Sequence, residues 1–251
     1  MTIDYDVIAT TRGAAAESAP TSRPAASRRV LFVVAILALA AGGAMRVWAA
    51  RGDLWLDEVW SLSLAEQTQH ASEVFTRHHL DNNHYLITLW MVVLGSQAPW
   101  FVYRIPSLIA GIGTILLAGR FARRWGLVES QTAIVLTSAS YVLIVYASEA
   151  RGYALAGFFA LAAFLALDRY LESRKPWAAL TFSLAVVLGF LSHLTFAHFY
   201  LGAAVWSVVR AVRQGPTAWI ALRKPKCTNS WKSSQSRSPP AGPARQTPAT
   251  S

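Results

Sequence analysis

The feature that most constrains this chain is a series of runs that contain no Lys, Arg, Asp or Glu. These runs extend from Val30 to Met45, Ile105 to Ala118, Thr132 to Ala147, Tyr153 to Leu167, Trp177 to Leu191 and Leu194 to Val209. Charged residues make up only 14% of the 251 residues, whereas a soluble domain carries about 25%. Since a helix needs about 20 largely apolar residues to cross a bilayer, the chain is predicted to be an all-α, polytopic membrane helix bundle.

The distribution of Lys and Arg predicts the topology of the bundle. Basic clusters occupy residues 1–29, 120–124, 169–175 and 210–251. All four lie on the cytoplasmic side only if the short apolar segment 84–97 does not cross the membrane, and basic loops are typically cytoplasmic. We therefore predict six transmembrane helices plus an interfacial or re-entrant helix in the first external loop. The protein is expected in the plasma or inner cell membrane, multi-pass, with both termini cytoplasmic.

Composition divides the chain into three parts. Residues 1–28 and 214–251 are rich in small, polar and basic residues and are predicted to be a disordered cytoplasmic arm and a disordered basic cytoplasmic tail. Residues 29–213 form the predicted transmembrane domain, with an external loop at 51–100. The net charge of +10 would suit a nucleic-acid binder, but its basic residues belong to the cytoplasmic side, so no nucleic-acid partner is predicted. Arg46, at the end of the first run, is expected to snorkel to the interface.

An acidic pair follows the first run, in Trp55-Leu56-Asp57-Glu58. Trp prefers the membrane interface, so this motif predicts a short interfacial helix. A carboxylate at that depth lies in a reduced dielectric, which favours a general-base role. The alternative is a solvated loop carboxylate beside membrane-anchoring Trp side chains.

A histidine-rich stretch leads into the short apolar segment. His78, His79, Asp81 and His84 lie within seven residues, and they are candidates for binding a divalent metal or a phosphate. Their spacing fits no strong zinc pattern, so a metal is not favoured and no cofactor is predicted. The alternative is a polar loop in which Asn82 or Asn83 caps the following helix.

Charged and polar residues also lie where predicted spans begin or meet. Glu149 and Arg151 occupy a tight loop, and residues two apart on a helix do not face each other, so each is expected to have a separate partner. Arg104 precedes a span and either binds a lipid phosphate or snorkels. His193 lies between two spans, where a structural and a functional role are equally open. Ionisable residues at membrane depth are usually functional.

Taken in order, these motifs resemble the polyprenyl-phosphate-sugar-dependent membrane glycosyltransferases of GT-C fold, notably protein O-mannosyltransferase-like family 39 enzymes and lipid A aminoarabinose transferases. Trp55-Leu56-Asp57-Glu58 is similar to the acidic motif of their first external loop, and Asp81-Asn82-Asn83-His84-Tyr85-Leu86 to their His-Pro-Leu segment, with Tyr85 for Pro. Tyr103-Arg104-Ile105-Pro106-Ser107 is similar to their Arg-Leu-Pro-Ser helix start. Glu149-Ala150-Arg151-Gly152-Tyr153 resembles their Glu-x-Arg-Pro-Tyr motif, with Gly152 for Pro.

The resemblance covers residues 30–212 and corresponds to the N-terminal half of such an enzyme, so it implies a truncated GT-C-like domain. It implies transfer of a hexosyl or pentosyl group from a polyprenyl-phosphate donor to a hydroxyl on an acceptor protein, lipid or glycan at the outer face, with inversion. Asp57 is then the general base, and Glu58 and Glu149 are further catalytic candidates. The implied substrate-binding residues are His84, Arg104, Arg151, Tyr153 and His193. Membrane lipids are the other expected partners.

Two other classes of function stay open on the sequence. A non-catalytic membrane subunit or fragment is favoured by the short length and the tail. A lipid-phosphate transporter would use the same charges, although no internal repeat is visible and the charges lie at one face. A metal-dependent hydrolase would depend on His78, His79 and His84 alone.

Overall fold

The computed structural model describes residues 25–76 and 84–223, and it describes side chains for residues 27–76, 84–210, 212 and 213. The predicted disordered arm and tail lie largely outside this part of the chain, and so do His78, His79 and Asp81. The chain divides into two compact units, one ending at Ala204 and one beginning at Val205. The second unit is helical as far as Arg223. All candidate site residues belong to the first unit.

The described residues form α-helices and no strand, which confirms the predicted all-α class. The helices are α1 Ala25–Ala49, α2 Leu56–Glu66, α3 Glu73–Thr76, α4 Tyr85–Leu94, α5 Trp100–Tyr103, α6 Ile105–Ala122, α7 Leu127–Ala139, α8 Tyr141–Ser148, α9 Tyr153–Ser173, α10 Pro176–Ser192 and α11 Phe196–Arg223. Pro106 stands in the first turn of α6, where its missing N–H leaves no hydrogen bond unmade. The helix predicted at the acidic motif is α2, and the N-cap of α4 is His84 rather than Asn82 or Asn83.

Within the described residues, three helices are long and apolar enough to cross a membrane: Ser27–Ala49 of α1, α6 and α9. A fourth span results if α7 and α8 count as one, since they meet at a bend of 59°. The apolar helices α4 and α10 are shorter, with 10 and 17 residues. At 1.5 Å per residue, α4 is about 15 Å long and reaches halfway across a hydrocarbon core of about 30 Å. The membrane character is thus supported, while the count of six spans stays a prediction.

Small residues allow the helices of the first unit to approach closely. The helix α9 packs along α6 and α10, and α1 packs along α7. A Cβ atom placed on Gly42 of α1 would lie 2.8 Å from the Cβ of Ser138 in α7. Gly111 of α6 faces Ala147 of α8 with even less room for a Cβ atom. Such contacts are typical of helix packing in membranes, where backbone proximity replaces the hydrophobic driving force.

Arg46 is fully buried, so the prediction that it snorkels is wrong. Its Nη1 donates to the carbonyl of Gly42 at 2.9 Å and to that of Ser138 at 3.1 Å, and its Nη2 donates to the carbonyl of Thr137 at 3.0 Å. The last carbonyls of a helix lack partners within that helix and carry partial negative charge. Arg46 therefore caps the C-terminal end of α7 and stabilises the break between α7 and α8.

A buried apolar cluster lies beneath the candidate site. It includes Ile87 and Met91 of α4, Tyr103 of α5, and Ala154 and Leu155 of α9. The Tyr103 hydroxyl donates to the Gly95 carbonyl at 2.6 Å and closes the loop between α4 and α5. This packing fixes the starts of α4, α6 and α9 relative to one another.

Candidate functional site

The site residues predicted from the sequence meet at one end of the first unit, which we call the site end. They come from the starts of α2, α6 and α9, from His84 before α4, and from His193 after α10. The loop at residues 149–152 lies at their centre, since its residues contact Asp57, Glu58, His84 and Ser107. Motifs as far apart in sequence as the acidic pair and His193 thus occupy one region.

Glu58 and Arg104 form a buried ion pair at the base of the site end. The Arg104 Nε donates to Glu58 Oε1 at 2.9 Å and its Nη2 donates to Oε2 at 2.7 Å. The side chains are 0% and 2% exposed. Glu58 also accepts hydrogen bonds from the backbone N–H groups of Trp55, at 2.8 Å, and of Ala150. The pair therefore ties the start of α2 to the loop 149–152 and to the start of α6.

The remaining N–H groups of Arg104 bind backbone carbonyls of the chain itself. Nη1 donates to Ala50 at 2.9 Å and to Gly52 at 2.7 Å, while Nη2 donates to Asp53 at 2.7 Å. An arginine has five N–H donors, and all five are used. Neither of the expected roles for Arg104, phosphate binding or snorkelling, is compatible with this geometry, because the side chain is buried and has no donor left. Arg104 and Glu58 thus fix the geometry of the chain at the base of the site end.

Asp57 points away from this pair and reaches the surface. Consecutive residues of an α-helix are about 100° apart, so burial of Glu58 turns Asp57 outward. Its side chain is 50% exposed and forms an ion pair with Nη2 of Arg151. Of the two adjacent carboxylates, Asp57 alone is accessible to a ligand.

Arg151 joins two carboxylates. Besides Asp57, it binds Glu149, with 3.1 Å between Nη1 and Oε2. The prediction that Glu149 and Arg151 have separate partners is therefore wrong, because the loop is not helical: Glu149 has extended backbone angles of −112° and 145°. Burial alone would lower the pKa of Arg151, but the hydrogen bond to Glu149 and the charges of Asp57 and Glu149 raise it.

One donor of this network is unused. The Nε of Arg151 is buried and has no hydrogen-bond partner among the described residues. A buried donor without a partner costs about 1–3 kcal/mol, so a ligand oxygen at this position would be stabilised. Glu149 itself is buried, and burial raises the pKa of its carboxyl although the Arg151 hydrogen bond and charge lower it.

His84 links three elements around the loop. Its Nδ1 accepts the N–H of Gly152 at 3.1 Å, and the ring also hydrogen-bonds to the backbone of Ser192 at the end of α10. Burial lowers the pKa of His84 to about 4, with the charges of His193 and Arg151 acting in the same direction. The ring thus holds the loop 149–152 next to the end of α10. Gly152 suits this position, since its N–H is needed by His84 and a Cβ there would meet the Ser192 carbonyl.

Three aromatic rings lie beside Arg151. His193 stacks on Tyr153 with 4.3 Å between ring centroids, and Tyr153 stacks on Tyr146 at 4.8 Å. The Arg151 guanidinium lies 4.9 Å from the Tyr153 ring. His193 Nδ1 accepts the Thr195 N–H at 3.0 Å, so its proton is on Nε2 when the ring is neutral. That Nε2 donates to no group in the described part of the chain.

An apolar pocket of about 370 Å³ opens beside these rings. Aromatic side chains and small residues line it: Tyr146, Tyr153, Ala156, Gly157, Ala160, Thr195, Phe196 and Phe199. Because Tyr153 contacts both this pocket and Arg151, the pocket adjoins the charged network. The arrangement places a guanidinium that two carboxylates share next to a surface for an apolar chain.

Sequence reasoning did not single out Tyr146 and Thr195, and its expectation for Arg46 was wrong. A signal for the burial of Arg46 was available, since an ionisable side chain beside an apolar run is normally paired inside a bundle. Tyr146 and Thr195 had no such signal in the sequence, because their roles depend on contacts between α8, α9 and the start of α11.

Among the described residues no group of three or more His, Cys, Asp or Glu could hold a metal ion. The candidate metal residues His78, His79 and Asp81 lie outside them.

Comparisons with protein families, with curated proteins and with solved structures return no match. The geometry of the site end is therefore the basis for any conclusion about function.

Proposed function

We propose that this chain is a membrane glycosyltransferase that moves a sugar from a polyprenyl phosphate to an acceptor hydroxyl. The observation that carries the proposal is the Asp57–Arg151–Glu149 network. It combines an accessible carboxylate with a guanidinium whose Nε lacks a partner. A carboxylate can take the proton of a hydroxyl, and a guanidinium can bind a phosphate through charge-assisted hydrogen bonds.

The proposed topology has six spans with both termini in the cytoplasm of a cell with a plasma or inner membrane. The spans are α1, α6, α7 with α8, α9, α10 and α11, and α4 is the interfacial or re-entrant helix. This arrangement puts the site end at the outer face. The exposed Trp48, Trp55 and Trp60 near the site end support this depth, because Trp is enriched at membrane interfaces.

In the proposed reaction the donor phosphate binds the Arg151 guanidinium, including its Nε. The apolar pocket beside Tyr153 accommodates part of the polyprenyl chain. The acceptor oxygen attacks the anomeric carbon as its proton passes to Asp57. The bond from that carbon to the phosphate oxygen breaks, and the electron pair leaves with the polyprenyl phosphate, whose charge Arg151 stabilises. A single displacement of this kind inverts the anomeric centre.

The other predicted site residues receive supporting roles. Glu149 orients Arg151, and Glu58, Arg104 and His84 hold the loop 149–152 in place. His193 presents Nε2 to the phosphate, and Tyr153 lies between the charged network and the apolar pocket. In this proposal Glu58 is not a catalytic residue and Arg104 does not bind substrate. Both are positioning residues.

A lipid-phosphate carrier is the second candidate, and the bend between α7 and α8 favours it. Broken helices are typical of transporters, where they line a substrate path. In this chain, however, the break is capped internally by Arg46. Movement of a labelled polyprenyl phosphate across a vesicle membrane, without sugar transfer, would support the carrier.

The test is a transfer assay with the full chain in proteoliposomes. Radiolabelled polyprenyl-phosphate hexoses and pentoses serve as donors, and extracted membrane proteins, lipids and glycans serve as acceptors.

Asp57→Asn should lower transfer by about 10²- to 10⁴-fold, the range for loss of a general base, while membrane insertion is unchanged. Asp53→Asn, which changes an exposed carboxylate four residues earlier, is the matched control and should retain activity. Wild-type transfer that persists in Asp57→Asn would overturn the role of Asp57, and absence of transfer by the wild type would overturn the enzymatic proposal.

A further inference from the structure

A second pocket lies at the opposite end of α6 and α9, which we call the arginine end. The helix α6 has 18 residues and is therefore about 27 Å long, so the arginine end is about one bilayer core away from the site end. The pocket has a volume of about 650 Å³ and is formed by α6, α9 and α10. None of the residues of the proposed transfer site lines it.

The pocket walls change from apolar to charged over one helical turn. On α6, Leu117 precedes Arg120, and on α9, Leu165 precedes Arg169. Residues three or four apart lie on the same helix face, so each apolar side chain lies one turn nearer the centre of the bundle than its arginine. The pocket is amphipathic along the helix axes, as the boundary between lipid chains and lipid headgroups is.

The charges of the pocket are not balanced internally. The guanidinium of Arg124 already has partners within the chain, since its Nη1 binds Asp168 at 3.0 Å and its Nε donates to the Phe121 carbonyl. Arg120, Arg123 and Arg169 are exposed, and their guanidinium groups make no hydrogen bond or ion pair with the described part of the chain. Glu172 is the other carboxylate of the lining. Three available guanidinium groups therefore face one remaining carboxylate, which leaves the pocket with a positive charge.

Two tryptophans indicate the depth of the pocket. Trp177 lines it and is 51% exposed, and Trp125, which follows Arg124 in sequence, is 61% exposed. Exposed Trp side chains at helix ends are typical of the membrane–water interface. The pocket is thus at the level where a bilayer has its phosphate groups.

We propose that the pocket at the arginine end binds the headgroup of an anionic phospholipid. Arg120, Arg123 and Arg169 bind the phosphate, and the acyl chains lie against Leu117 and Leu165. Basic pockets between membrane helices bind anionic headgroups in this way. The net positive charge selects an anionic lipid over a zwitterionic one. The proposal concerns a separate site and does not depend on the transfer reaction.

The test uses the full chain, purified in detergent and depleted of lipid. Phosphatidylglycerol should raise the thermal unfolding midpoint in a saturable manner, and phosphatidylcholine should not. In the variant Arg120→Gln/Arg169→Gln, the apparent Kd for phosphatidylglycerol should rise roughly 30-fold, since each arginine near a lipid surface contributes a factor of about five. Arg210→Gln/Arg213→Gln, in the second unit, removes the same charge and should leave the Kd unchanged.

Each other result contradicts the proposal. Equal stabilisation by phosphatidylcholine would remove the anionic selectivity, and this comparison needs only the wild type if a variant does not fold. Equal stabilisation by glycerol 3-phosphate would indicate a site for free phosphate esters. A Kd that is unchanged in Arg120→Gln/Arg169→Gln, or that rises equally in the control, would show that the pocket is not the binding site.

Discussion

At the scale of single residues, the contrast between Asp57 and Glu58 organises the site end. Both carboxylates bind an arginine, yet one is half exposed and the other fully buried. An exposed pair contributes little to stability because water screens it, so Asp57 is available for a ligand. A buried pair whose groups are all hydrogen-bonded fixes geometry, and loss of either member leaves an uncompensated charge.

Replacing Glu58 by Gln should therefore destabilise the fold strongly. Arg104 would keep its three carbonyl partners but lose its counter-charge while buried, and breaking a buried pair costs about 3–5 kcal/mol. Glu66→Gln, at the exposed end of the same helix, should change stability by less than about 0.5 kcal/mol. The measurement is the free energy of unfolding in mixed micelles with increasing SDS. Similar values for Glu58→Gln and Glu66→Gln would contradict the positioning role.

The sequence indicated which residues meet at the site end, but it did not indicate their partners. Ionisable side chains beside apolar runs are few, so Asp57, Glu149 and Arg151 stood out. Partners depend on the path of the backbone. The expectation for Glu149 and Arg151 assumed helical spacing, and the extended backbone of Glu149 brings the two side chains together instead.

At the scale of helices, the uncharged apolar runs predicted where the elements lie, since the runs 105–118 and 153–167 fall within α6 and α9. The bend between α7 and α8 was not predicted because Ala139, Ser140 and Tyr141 contain no Pro or Gly signal. Its cause is distant in sequence, because Arg46 donates to carbonyls 91 and 92 positions further along the chain. Local patterns contain no information about such a contact.

The close packing of α1 against α7 can be tested by substituting two adjacent glycines of α1, of which only one faces α7. Gly42→Leu should destabilise the bundle by about 1–3 kcal/mol, the range for overpacking a tight contact, because its Cβ would meet Ser138. Gly43→Leu is the control, since no atom lies within 4 Å of a Cβ placed there, and Leu has the higher helix propensity. Unfolding in SDS should separate the two variants. If both are neutral, the close approach of α1 and α7 is disproved.

At the scale of the whole molecule, stability should depend on pH through His84. Its pKa is about 4 in the folded chain and about 6.5 when unfolded. Above pH 6.5 the folded state has its full stability. As the pH falls from 6.5 to 4, the unfolded chain binds the proton first, and roughly 3 kcal/mol is lost. Burial also lowers the pKa of His193, which adds to the same trend.

The thermal unfolding midpoint between pH 7 and pH 4 tests this expectation. The midpoint of the wild type should fall with decreasing pH, and His84→Gln should show a smaller fall from a lower starting value. His198→Gln changes an exposed histidine five residues after His193 and should retain the wild-type slope. A wild-type slope in His84→Gln would mean that other groups cause the pH dependence.

The loop 149–152 is held by side chains that come from elsewhere in the chain. Glu58 binds the N–H of Ala150, His84 binds the N–H of Gly152, and the Ser107 hydroxyl donates to the carbonyl of Arg151 at 3.2 Å. These three contacts hold the main chain of the loop and do not involve the side chains of Glu149 and Arg151. Residues 149 and 151 can therefore change, by natural variation or directed evolution, without loss of these contacts. Such changes would alter the chemical groups offered to a ligand while the surrounding helices stay the same.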